Sequence, residues 1–330
     1  MSGAAIATRP RGLATAVPSM RRNAWTLGLL VLLVFLLAFT KFIQPTYGAA
    51  GIQGLAISIL PLALAAVAQA IVVISGGIDL SIGSIMALVN VVTAVLMAGH
   101  SGQFGVLVVV AALVLGAVVG GVNGGLVVAT RVPDIVVTLA TSYVWAGAAL
   151  LILNSPGGSA SPWLMNLVND SIGRWIPQAA IVLIVVVAVI WIPLRRSRLG
   201  LSIYAIGSNQ LAAFRSGVPV GRTKLLAYVF MGVFAALAGL SVTASTGIGS
   251  PVPGPYTLMS IAAVVLGGVS LAGGRGGVLG PVLAVLVLQV VQTDMTLLNV
   301  DTNLASVLQG FILVGVVVLG TLSEIRRARA

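Results

Sequence analysis

Few side chains here are equipped for covalent chemistry. The 330 residues include no Cys, one His and six Asp or Glu. Without cysteine there is no disulfide, thiolate nucleophile or thiolate metal site. His100 alone cannot build the usual zinc or Ser/His/Asp arrangements. The sequence therefore predicts no catalytic residue, no metal ligand and no cofactor bound by this chain. The segment Gly273-Gly274-Arg275-Gly276-Gly277 lacks the Lys-Ser/Thr pair of a phosphate-binding loop, so ATP is not hydrolysed by that route. No run of Asp, Glu, His or Lys is available to relay protons or hold sodium, which argues against an ion-coupled carrier.

Non-covalent chemistry remains. Asp79 lies in a compact break, Gly76-Gly77-Ile78-Asp79-Leu80-Ser81. The glycines allow a tight turn, and Asp79 or Ser81 can accept hydrogen bonds from the free N–H groups that open the next helix. Contact with a transported solute is the other reading of this break. Asn90, Asn123, Gln289 and Gln292, with Gln69, sit inside apolar segments. Such neutral amides either line a path for an uncharged, polyhydroxylated solute or tie helices together.

The elements that must position these residues are membrane helices. Hydrophobic residues make up 59% of the chain and charged ones 7%, against about 25% charged in soluble domains, which excludes a soluble enzyme. Apolar stretches fall at 24–40, 52–74, 82–98, 104–130, 135–153, 178–194, 225–247, 256–272, 277–293 and 303–322. The fold class is all-α: a polytopic membrane protein of about ten transmembrane helices. The net charge of +11 follows a topological logic. With a cytoplasmic N-terminus, every Lys and Arg except Lys41 and Arg174 falls on the cytoplasmic side, as retention of basic loops produces. Both termini are then cytoplasmic in a multi-pass cytoplasmic (inner) membrane protein. The expected organisation is a cytoplasmic tail at 1–23, a transmembrane domain at 24–322 and a cytoplasmic C-terminal segment at 323–330.

On that topology Asp170, Asp294 and Asp301 are expected in outer segments, and Asp134 and Glu324 at inner boundaries. The outer loop 154–177 carries Trp163 and Trp175, and a short interfacial helix is expected near 163–168. The basic inner loop 195–224 contains a short helix at 209–216 and is the best surface for another protein. Gly116, Gly120, Gly121, Gly124 and Gly125 allow close helix packing. Ser84-Ile85 and Ala87 align with Ser260-Ile261 and Ala263, a faint repeat in which a shift of five crossings inverts the direction through the membrane.

Four segments carry a family resemblance. GGIDLSIGS runs from Gly76, RLGLSIYAIGSNQLAAFRSGVPV from Arg198, LGGVSLAGGRGGVLG from Leu266 and GGVNGGLVVATRVPDIVVTLAT from Gly120. Together they resemble permease subunits of bacterial ATP-binding-cassette sugar importers, the ribose/xylose/galactoside branch of the branched-chain amino acid permease superfamily. The resemblance spans 51–322 and implies a type II importer-like fold with an inverted repeat. It implies that Gly207, Asn209, Ala212, Ala213, Ser216 and Gly217 form the loop that docks into a partner ATPase, which uses ATP and Mg. Asn209 is suited to cap that helix and Gly217 to end it before Pro219. Further implied partners are an extracytoplasmic sugar-binding protein and a second permease chain; no nucleic acid is expected. The implied function is import of a monosaccharide by alternating access, with a branched-chain amino acid or other small solute as the alternative. The chain departs from the family pattern at Asp134, Ala284 and Gln292-Thr293-Asp294, which bears on the identity of the solute.

Overall fold

A backbone in hydrocarbon has to satisfy its own N–H and C=O groups, so the apolar stretches wind into helices. The computed structural model describes residues 16–100, 102–252 and 254–301, with scattered positions between 304 and 318. In order these are α1 (Ala16–Ile43), α2 (Ala49–Ile74), α3 (Ile82–Met97), α4 (Gly102–Thr130), α5 (Asp134–Ile152) and α6 (Pro162–Asn169). A hairpin follows, β1 (Ser171–Ile172) antiparallel to β2 (Ile176–Pro177), with Ser171 opposite Pro177. Then come α7 (Gln178–Val186), a π-helical turn at Val187–Trp191, α8 (Ile192–Arg196), α9 (Arg198–Ser208), α10 (Gln210–Arg215), α11 (Val220–Thr246), α12 (Tyr256–Leu266) and α13 (Leu279–Leu297). The π turn has a local cause: Pro193 has no N–H to give the Val189 carbonyl, and its ring crowds that carbonyl.

Among the described residues, seven segments are long and apolar enough to cross a membrane: α1, α2, α4, α5, the run α7–α8, α11 and α13. Two further apolar helices, α3 with 16 residues and α12 with 11, are shorter. At 1.5 Å per residue they cover about 24 and 17 Å of a core about 30 Å thick. The expected tenth span, 303–322, falls mostly outside the described residues, as do 1–15 and 323–330. The helix α1 starts at Ala16, inside the expected tail and ahead of the apolar run at 24–40.

The helix α2 is the axis of the bundle, buried without interruption from Ile59 to Ile74. It contacts α11, α12 and α13, elements from the far half of the sequence. The pairings are reciprocal: α2 packs on α13 as α11 packs on α4, and α2 packs on α12 as α11 packs on α3. Exchanging α2, α3 and α4 for α11, α12 and α13 reproduces both pairs, as an internal two-fold repeat requires. At the rim, α1 buries Leu29 and Leu33, one turn apart, in a cluster with α2 and α13. Its Val31, Val34 and Phe35 remain exposed.

The seam between α4 and α11 is made of backbone. A methyl group on Gly116 or Gly120 would overlap the Gly232 or Tyr228 carbonyl oxygen, and one on Gly232 would overlap that of Gly116. A methyl group on Gly124 would come to 2.7 Å from the Tyr228 Cβ atom, whereas one on Gly121 or Gly125 would have ordinary room, at 3.5 and 3.8 Å from its nearest neighbour. The expected small-residue packing is thus confined to the 116/120/124 stripe, the one-turn repeat that lets two helices touch.

Candidate translocation and coupling site

The break between α2 and α3 is an enclosed polar knot. Gly76 has φ 86°, in the left-handed region, and turns the chain out of α2. Asp79 is fully buried, and its Oδ1 accepts hydrogen bonds from the Ser81 N–H and Ser81 hydroxyl, both at 2.6 Å. Asn123 on α4 donates to Ser81 Oγ at 2.7 Å and accepts from the Trp145 indole of α5 at 3.1 Å. The Leu80 N–H donates to Thr138 Oγ1 at 3.0 Å. In the orientation that satisfies both of its polar atoms, the Gln69 amide pairs with the backbone of Asp79, donating to its carbonyl at 2.9 Å. The expected helix cap takes a different form: Ser81 is the N-cap position but makes no side-chain cap bond. Asp79 instead closes a turn just outside the helix, because its carboxylate reaches only two residues on. Gly76, Gly77, Asp79, Ser81 and Asn123 therefore come together as a joint between α2, α3, α4 and α5.

Next to this joint lies a charged cluster that sequence reasoning left as a boundary residue. Asp134, the first residue of α5, accepts from Lys224 Nζ at 2.7 Å and from the Tyr228 hydroxyl at 2.9 Å. Lys224 and Tyr228 are one turn apart on α11. A methyl group on Gly77 would overlap Asp134 Oδ2, so the carboxylate sits directly over the glycine turn. A cleft of about 530 Å³ opens beside it, lined in part by Arg131, Asp134, Gln210 and Lys224.

The loop 195–224 folds as two short helices at this same end, which also carries Arg131, Arg275 and the Asp134 cluster. The Ser197 hydroxyl caps α9 by accepting from the Gly200 N–H at 3.1 Å. Asn209 caps α10 by accepting from the Ala212 N–H at 2.9 Å, and Gly217, with φ 83°, ends it. Both were legible in the sequence. The facing of individual residues was not. Gly207 is wedged against the end of α2 and the 273–274 turn, and a methyl group there would overlap the Ile74 carbonyl oxygen. Ala213 is 6% exposed and packs within the chain. The outward residues of α10 are Leu211 and Phe214, 59% and 67% exposed, beside exposed Ala212, Ser216 and Gly217. Tyr204 of α9 donates to the Gly276 carbonyl at 2.8 Å, and burial raises its phenol above the ordinary value, which keeps the proton on the donor.

The remaining polar residues lie toward the opposite end and do not form one path with the joint. Asn90 is a latch: it donates to Thr243 Oγ1 at 2.8 Å and the Ile248 carbonyl at 3.1 Å, and accepts from the Ser250 N–H at 2.5 Å. Asp294 is buried rather than in an outer loop, and it accepts from Thr40 of α1 at 2.6 Å. Gln292 is half-buried on α13, and its backbone carbonyl accepts from the Thr296 hydroxyl at 3.0 Å. Gln289 lines a separate cleft of about 430 Å³ with Gly54, Ser58, Pro61, Ser245 and Tyr256 among its walls. Pro61 sits inside α2 and cannot donate to the carbonyl of Ile57, another residue of the wall. The helix runs on through Pro61 without a break, and the missing N–H leaves a backbone acceptor free in the turn that borders the cleft. Sequence reasoning missed Ser58, Ser245 and Tyr256; the proline in an apolar helix was the available signal.

Comparison with known proteins agrees with this architecture. The family model described as branched-chain amino acid transport system / permease component matches residues 51–317. The probable ABC transporter permease protein y4mJ of Sinorhizobium fredii is 34% identical over 271 residues, covering 81% of this chain and 80% of the relative. The autoinducer 2 import system permease protein LsrD of Escherichia coli is 32% identical over 256 residues, covering 75% and 76%. No solved structure matches significantly. A bundle built on reciprocal helix pairs, with a cleft beside the proline of its central helix and an exposed two-helix loop, is matched over most of its length by that family, and this chain is a member of the permease subunits of ATP-binding-cassette transporters.

Proposed function

We propose that the chain carries a monosaccharide into the cytoplasm by alternating access, driven by ATP that a partner ATPase hydrolyses with Mg. The observation that carries the solute class is the cleft of about 430 Å³. Its polar lining comes from Ser58, Ser245, Tyr256 and Gln289, with no charged residue among its walls. Hydroxyl and amide groups beside an aromatic ring match a neutral polyol, whereas a zwitterionic amino acid would need fixed charge to replace its lost hydration. The ATPase seats on α10, where Leu211 and Phe214 project from a basic surface. That end is then cytoplasmic, both termini with it, in keeping with retention of Arg and Lys inside.

An extracytoplasmic sugar-binding protein delivers the solute at the other end, and a second permease chain completes the transporter. This chain contributes conduit and coupling surface and has no ATPase site of its own. The test is uptake into vesicles containing the co-purified complex, with ATP supplied on the α10 side and ion gradients collapsed by ionophores. Labelled pentoses and hexoses should enter. A branched-chain amino acid, named in the family description, is the second reading, and autoinducer 2, named for the E. coli relative, belongs in the same competition panel. Uptake that stops with the gradients, or that only leucine competes, would refute the proposal.

A further inference from the structure

The cluster of Asp134, Lys224 and Tyr228 sits where three moving parts would meet. One carboxylate takes two donors from a single turn of α11, with Lys224 on Oδ1 and Tyr228 on Oδ2. It is partly screened from solvent, with side-chain exposures of 12% for Asp134 and 17% for Lys224, so the pair holds more firmly than a surface ion pair. Upstream, only the four residues 216–219 separate α10 from α11, and hydrogen bonds close that turn. The Val218 N–H returns to the Ala213 carbonyl at 3.0 Å and the Gly217 N–H to the Phe214 carbonyl at 3.0 Å, and Pro219 starts the next helix. Lys224 follows one turn later. Downstream, the Asp134 carboxylate lies over Gly77, and Thr138, one turn along α5, accepts the Leu80 N–H of the break.

We propose that Asp134, Lys224 and Tyr228 form a mechanical clasp, a set of positioning residues that passes displacement of α10 through α11 to α5 and the Gly76–Ser81 joint. This rests on the reading of α10 as the ATPase seat. The contacts form a continuous physical link, and a link that both ends load is what coupling requires. Nothing else described joins the first turn of α11 to the first turn of α5 by charge.

The native chain has no Cys, so one introduced cysteine reports cleanly. A bimane fluorophore at Val136→Cys, an exposed site on α5 at 56%, reads α5 in the complex with its co-purified ATPase when MgATP is added. Asp134→Asn or Lys224→Gln alone leaves an orphan charge and should lower abundance. The double variant leaves none and should restore abundance. In that variant we expect ATPase association and ATP hydrolysis within about twofold of wild type, and a fluorescence response about tenfold smaller. A clasp that only stabilises the fold predicts a wild-type response in the double variant. That outcome overturns the proposal, as does a silent α5 in the wild type or loss of the ATPase from the double variant. Failure of the ATPase-seat reading shows separately, as unchanged ATPase association when Leu211 and Phe214 are truncated.

Discussion

Truncating the outward face of α10 tests the coupling surface quantitatively. Fully burying a Leu or Phe side chain is worth about 1.5–3 kcal/mol. Leu211 and Phe214 are 59% and 67% exposed in the isolated chain. Scaling by those fractions leaves about 1–2 kcal/mol for each to gain on docking, so Leu211→Ala with Phe214→Ala should cost about 2–4 kcal/mol, a roughly 30- to 700-fold weaker association. The assay is titration of the purified ATPase against the full-length permease in lipid nanodiscs. Because both side chains face out, abundance and thermal stability of the permease should not change. Ala213→Arg behaves differently: it forces a charge into a position only 6% exposed, so it should lower abundance before any docking defect is read. A Kd for the double truncation within threefold of wild type would refute the assignment of this face.

The α4–α11 seam predicts a sharp positional contrast: Gly120→Ala or Gly232→Ala should lose about 1–3 kcal/mol, read as a lower melting temperature in detergent, while Gly121→Ala, facing a side chain at 3.5 Å, should be nearly neutral. At the joint, Asp79→Asn keeps an acceptor for the Ser81 N–H and should accumulate near wild-type levels. Asp79→Leu strands buried donors and should cost about 1–3 kcal/mol in the same melt. In the cleft, Gln289→Ala and Ser58→Ala should raise KM for uptake severalfold with abundance unchanged; a fall in kcat with KM unmoved would place the solute elsewhere.

The elements were legible because each carries a strong local signal: apolar length for the spans, Asn209 before a short run for α10, a one-turn glycine stripe for the seam. Facing was not. In lipid, the buried and outward sides of a helix are both apolar, so α2, almost wholly enclosed, and α1, largely exposed, read alike. On α10, six residues give too little periodicity to tell buried Ala213 from exposed Leu211. Asp134 and Asp294 looked like boundary or loop acids because their partners, Lys224 and Thr40, lie 90 and 254 residues away in the chain. Such pairs are created by the packing and leave no local pattern.

The enclosure of α2 sets a problem of timing during synthesis. The helices that wrap it, α11, α12 and α13, begin at Val220, so 220 − 74 = 146 residues separate the end of α2 from the start of its cover. At about 5–20 residues per second, a ribosome needs about 7–30 s to reach even its first residue. For that interval Gln69, buried in the finished bundle, has neither its packing nor a settled joint beside it. The short α3 and α12 cannot hold position across the bilayer on their own either. Until the second half of this chain arrives, the first half therefore carries its central helix without the neighbours that finally enclose it.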